Sequence, residues 1–152
     1  MSSIGFEFAY MLDGSNATPV VRDFTLGAAA AHLVGDLMLM QSDGYVDAVT
    51  GTTTEVTCVM QESFAAADVT AGTTKGKAAI ITRNQVWRCS MDAATTAAVV
   101  ANTKTIDTVD KNTIDADDVS NGAMTLVDAS LLDDEGNVMA YVVFADTSFG
   151  NT

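Results

Sequence analysis

TLGAAAAHLVGDLMLMQSDGYVDAV, residues 25–49, admits two readings, and the choice between them sets the fold class. Four consecutive alanines, Ala28 to Ala31, invite a helix. Gly27 and Gly35 bracket only seven residues, however, and an isolated helix that short is marginal in water. After Gly35-Asp36, the run Leu37-Met38-Leu39-Met40 is short and continuously apolar, as in a strand buried on both faces. Ser42-Asp43-Gly44 reads as a turn, because glycine takes positive φ without steric cost. Tyr45-Val46-Asp47-Ala48-Val49 returns as the partner strand. The stretch is therefore read as a tight small-residue approach into a hairpin, with alanines that let two backbone layers come close.

The same reading extends along the chain. Phe6, Phe8, Tyr10 and Leu12 alternate onto one face of an N-terminal strand or extended arm that stops at Asp13-Gly14-Ser15-Asn16. Residues 20–26, after the single proline Pro19, have period two with Arg22 as the exception. Residues 55–62 place Val56, Cys58 and Met60 inward. Residues 64–74 are a small-residue loop. Residues 77–82 and 85–91 flank Arg83-Asn84 and are expected to form a hairpin, with Trp87, Cys89 and Met91 on one face. Residues 92–101 are the one good helix candidate, capped by Asp92 and ended by Asn102. Residues 103–122 read as a polar, acidic excursion with one short strand. Residues 123–132 and 138–145 form a closing hairpin around residues 133–137, and the tail 146–152 reads as loose. The expectation is a mainly β chain, a small β-barrel or β-sandwich, with an extended arm over 1–19, one body over 20–152 and one short helix.

Composition narrows the function classes. The 152 residues suit one domain large enough to bury a core, and 48% are hydrophobic. Twenty acids against seven bases give a net charge of −13, which repels phosphate backbones and anionic lipid, so neither nucleic acid nor membrane is expected as a partner. No apolar run approaches the roughly 20 residues needed to span a bilayer. No basic and apolar leader is seen at the N-terminus. Cys58 and Cys89 fall in strand-like segments and read as small buried hydrophobes, with a single bridge between them left open.

Chemistry is sparse. The lone histidine, His32, stands four residues before Asp36, a weak spacing for a catalytic pair. There is no G-x-S-x-G, C-x-x-C or H-E-x-x-H. Residues 115–118 and 133–137 offer hard oxygen ligands without EF-hand spacing, so solvated loops are the better reading. No catalytic, cofactor or metal residue is assigned. Trp87 is either a core residue or a sugar-stacking platform. Four of the seven bases, Lys75, Lys77, Arg83 and Arg88, crowd one short segment, which reads equally as an ordinary solvated hairpin or as a contact with an acidic partner surface or with another copy.

The order of Asp13-Gly14, Pro19, a strand near Phe24, Gly35-Asp36, an apolar strand, the Asp43-Gly44-Tyr45-Val46 hairpin and a strand over residues 56–60 resembles the head decoration, or capsid cement, proteins of tailed bacteriophages. The resemblance covers mainly residues 20–60. It departs at Cys58-Val59, where glycine would be expected, and at residues 92–101 and 103–122. It implies a β-barrel-like domain, sometimes called a β-tulip, with an arm lying on the capsid and trimers at local threefold points. The implied partners are the major capsid protein and other copies of the chain, on the virion surface, after synthesis in the host cytoplasm. Phe6, Phe8, Tyr10, Lys75, Lys77, Arg83 and Arg88 are the expected contact residues. A carbohydrate-binding or adhesive β-sandwich on a virion or cell surface is the alternative, and another virion component such as a tail-tube or neck protein is a third reading. An enzyme is not expected.

Overall fold

The computed structural model describes residues 5–50, 55–91, 106–115, 122, 124–132, 136 and 138–149. Within them the chain is mainly β, and no α-helix is found. The helix candidate over 92–101 lies outside the described residues, as do most of the two acidic stretches, 115–118 and 133–137.

The opening stretch is a hairpin. Leu37–Met40 is β3 and Val46–Ala48 is β4, paired antiparallel around a Gly44 with φ of +86°. Leu37 and Met38 are both buried, one in each of two hydrophobic clusters, so β3 is covered on both faces. The lead-in is different from expectation. Ala28 to Ala31 are exposed and form an irregular loop. The close backbone approaches fall at glycines instead. A Cβ on Gly27 would lie 2.6 Å from the Asp47 carboxylate, and one on Gly5 would lie 2.9 Å from the Gly35 backbone.

Five strands make the first sheet, in the order β2 (Val21–Thr25), β6 (Lys75–Ile80), β5 (Cys58–Met60), β3, β4. The sheet curls until Leu26, just past β2, bridges Val46 of β4, and Gly27 N–H donates to the Val46 carbonyl at 3.0 Å. That closes a small barrel around Phe24, Leu26, Met38, Val46, Cys58, Met60, Val69 and Ala78. The loop that carries Val69 holds one 3-10 turn, Ala66–Asp68.

Four strands make the second sheet, in the order β1 (Glu7–Met11), β7 (Gln85–Ser90), β11 (Val138–Phe144), β10 (Met124–Leu132). It packs on the barrel's flank, where Phe6, Trp87, Cys89, Val142 and Phe144 meet Leu37, Val59, Ala79 and Ile81. A two-stranded hairpin, β8 (Asp107–Asp110) and β9 (Thr113–Asp115), stands where one strand was expected, and Ile106 and Ile114 add to this core.

Three expectations are corrected. The stretch 1–19 is not a free arm over its described N-terminal part: Glu7–Met11 is an edge strand, the Phe6 amide donates to the Gly35 carbonyl at 2.8 Å, and Phe6 is buried. Residues 12–18, which link β1 to β2, are exposed. Second, β6 and β7 do not form a hairpin, because they belong to different sheets. The Gln85 side chain makes the switch. Its Oε1 accepts from Thr82 N–H at 2.9 Å and Trp87 Nε1–H at 3.1 Å, while its Nε2 donates to the Ile80 carbonyl at 3.2 Å. These bonds satisfy the corner groups that hairpin pairing would otherwise have held. Third, the tail is docked through residue 149: Val56 N–H donates to Asp146, Ser148 N–H donates to Val56, and Thr147 is buried.

The closing hairpin forms as expected, β10 against β11. Cys58 and Cys89 are both free and buried, in separate clusters, so they are not bridged.

Candidate functional site

The expected contact residues divide among four places. Phe6 is core. Phe8 faces inward, edge-on to Trp87 with ring centroids 5.7 Å apart. A β-bulge between Phe8 and Tyr10 then changes the alternation. Phe8 sits opposite Trp87, but Tyr10 sits opposite Val86, which shares the outer face with Arg88. Phe6, Phe8 and Tyr10 therefore do not share one face, a correction to the simple period-two reading.

The four bases do not make one patch either. Lys75 and Lys77 lie on β6, where Lys77 pairs with Asp23 at 3.3 Å. Arg83 sits at the corner between the sheets and pairs with Asp146 at 3.6 Å. Arg88 is on the outer face of the four-stranded sheet.

That outer face is the most organised polar surface among the described residues. The register aligns Glu7, Arg88, Tyr141 and Asp128 in a row across β1, β7, β11 and β10. Arg88 donates from Nε and Nη2 to Glu7 Oε2, at 2.9 and 2.7 Å. The guanidinium pKa is raised, first by the hydrogen bond to Glu7 and next by one to Tyr141, so the charge is fixed. The Tyr10 and Tyr141 rings stack with centroids 6.4 Å apart and planes 29° apart. Phe8, Ala9, Tyr10, Arg88, Asp128 and Tyr141 line a shallow depression of about 480 Å³. Tyr10 is 46% exposed. Such a surface offers aromatic area and a cation whose orientation is set, features enriched in protein interfaces. Tyr141 and Asp128 were missed in the sequence because their place in the row depends on cross-strand register.

The remaining chemistry is buried. His32 is 2% exposed, with neither ring nitrogen hydrogen-bonded among the described residues. Burial, and Lys111 next, hold its pKa below the usual value, against a smaller opposing effect of Asp36 and Asp47. Asp36 is also buried. Its Oδ2 accepts from Lys111 Nζ and from Leu33 N–H, both at 2.9 Å. Lys111 Nζ also donates to the Ala31 carbonyl at 2.8 Å, so this ion pair clamps the β8–β9 turn onto the lead-in loop. Among the described residues no three His, Cys, Asp or Glu side chains gather as metal ligands. Trp87 is fully buried, with Nε1 held by Gln85, and offers no exposed stacking platform.

The chain matches no protein-family model, no curated protein and no solved structure.

Proposed function

We propose that the chain is a head decoration protein of a tailed bacteriophage, which binds the outside of the expanded capsid and stabilises contacts between capsomers. The observation that carries this reading is the outer face of the four-stranded sheet, where Tyr10, Tyr141 and Arg88 are set in register on a rigid support. A ligand that binds one state of a lattice and not another stabilises that state by mass action. A modest contact repeated over a symmetric shell accumulates avidity. The strongly acidic remainder of the chain keeps unassembled copies apart. The proposed partners are the major capsid protein and, at threefold positions, two further copies of the chain.

The integration of β1 changes how this is tested. Deleting residues 1–18 would remove an edge strand and the buried Phe6 along with any gripping function. The informative variants are Tyr10→Ala and Arg88→Glu, which alter the outer face alone. Pull-down on expanded heads is expected to retain the unaltered chain and to lose both variants. Full retention of both would remove this face from the binding surface. The carbohydrate alternative rested on an exposed Trp87, and no observation here favours it.

A further inference from the structure

The loop between Gly27 and Gly35 is folded inside out. Within residues 28–34 only His32 is buried. Leu33 and Val34, the two large apolar residues that follow it, are 56% and 53% exposed. Burial ordinarily favours the opposite choice, with the apolar side chains inside and the imidazole in water. The cost is compounded because neither His32 nitrogen has a hydrogen-bond partner among the described residues.

The bonds that hold the loop in this state are few, and neither sheet depends on them. His32 and Phe64 exchange backbone hydrogen bonds at 3.0 and 2.8 Å as an isolated bridge. Val34 N–H donates to Ser63 Oγ at 3.1 Å, and Lys111 Nζ donates to the Ala31 carbonyl at 2.8 Å. On one side Leu26 bridges Val46, and on the other Leu37 pairs with Val59, so the sheet is complete without residues 28–34. Gly35, at the loop's far end, has φ of +98°, and its amide stays tied to the Met60 carbonyl at 2.8 Å. The loop can therefore swing between its two glycines as a local unit.

The charged groups that act on the imidazole come from three elements. Burial opposes a proton on His32 most strongly, and Lys111 in the β8–β9 turn opposes it next. Asp36, just before β3, and Asp47, on β4, favour the proton by less. Asp36 Oδ2 is already engaged by Lys111 and by Leu33 N–H. An imidazolium is thus less stable in this pocket than in water.

We propose that His32 is an acid-sensitive latch. When its free ring nitrogen takes a proton from solvent, the imidazolium leaves the pocket and residues 28–34 swing out, while both sheets stay paired. The inference does not rest on the capsid reading, and its test uses the chain alone.

The test is native-state amide exchange on the full chain, followed by NMR from about pH 7.5 to about pH 5, with rates corrected for the intrinsic pH dependence of exchange. The His32 and Phe64 amides report the latch, and the Ile80 amide, bonded to the Val20 carbonyl, reports the five-stranded sheet. Opening at His32 and Phe64 is expected to rise by up to about tenfold per pH unit below about 6.5, and by at least about threefold over the range. That opening is expected to be indifferent to urea well below the unfolding midpoint, whereas Ile80 exchange responds to urea as global unfolding does. His32→Gln has no titrating nitrogen and is expected to abolish the acid response. If that variant does not fold, His32→Leu makes the same comparison. The proposal is overturned if both amides keep their protection on acidification, as they would were the imidazolium drawn onto Asp47 instead. It is also overturned if they open only together with Ile80 and with the same urea dependence, or if either variant retains the acid response.

Discussion

Arg88 is bound to Glu7 across the edge of the four-stranded sheet, through two guanidinium nitrogens on one carboxylate oxygen, and the pair stands on the face that Tyr10 and Tyr141 occupy. Both side chains are more than two-fifths exposed. An exposed ion pair contributes little to folding, so its position on the sheet matters more than its energy.

Arg88→Ala is accordingly expected to change stability by less than about 1 kcal/mol. Urea denaturation measures this. The same variant is expected to weaken attachment to the partner surface about tenfold or more, because the cation fixed between Glu7 and Tyr141 is lost. A large stability change with unchanged attachment would assign the residue a structural role.

Gln85 decides the path between the sheets, and its replacement tests that account. Gln85→Leu keeps the volume near constant but leaves Thr82 N–H and the buried Trp87 Nε1–H without their acceptor. The expected cost is about 2–4 kcal/mol, as for unsatisfied donors in a protein interior. Chemical denaturation gives the value, and Trp87 emission is expected to shift in the folded variant.

His32 gives the fold a dependence on pH whose sign is determined. Its pKa in the folded chain is below that of the unfolded chain, chiefly because of burial. Below pH about 6.5 the unfolded chain therefore binds the additional proton, and stability falls as the pH falls. The slope from this one group is at most about 1.4 kcal/mol per pH unit. Subtracting the pH–stability curve of His32→Gln from that of the unaltered chain is expected to isolate a decline that begins near pH 6.5 and continues down to the folded-state pKa.

Both thiols are inert by burial. Cys58 has its pKa pushed up to about 12, and Cys89 is raised as well, in each case first by desolvation. At pH 8 the Cys58 thiolate fraction is then about a thousandfold below that of a free cysteine. A disulfide-exchange reagent is expected to label neither cysteine in the folded chain and both in urea.

The parts of this fold legible in the sequence are those settled within a few residues. The β3–β4 hairpin follows from an apolar run and the Asp43-Gly44 turn, and the β10–β11 hairpin from two apolar runs around a polar turn. The parts that were not legible depend on distant partners. Arg83-Asn84 looks like a hairpin turn locally, yet Gln85 sends the chain into the other sheet. The single-residue bulge at Phe8 and Tyr10 reverses one side chain and separates residues that simple alternation groups together. Asp36 is buried because Lys111, far along the chain, arrives to pair with it. Of the candidate interface, Tyr10 and Arg88 were legible as residue types. The row that joins them to Tyr141 and Asp128 exists only once four strands are in register.

The most direct test is co-sedimentation with phage heads before and after expansion. The account predicts that the chain pellets with expanded heads, saturably, and remains in the supernatant with unexpanded ones. Equal pelleting with both states, or with neither, would contradict it.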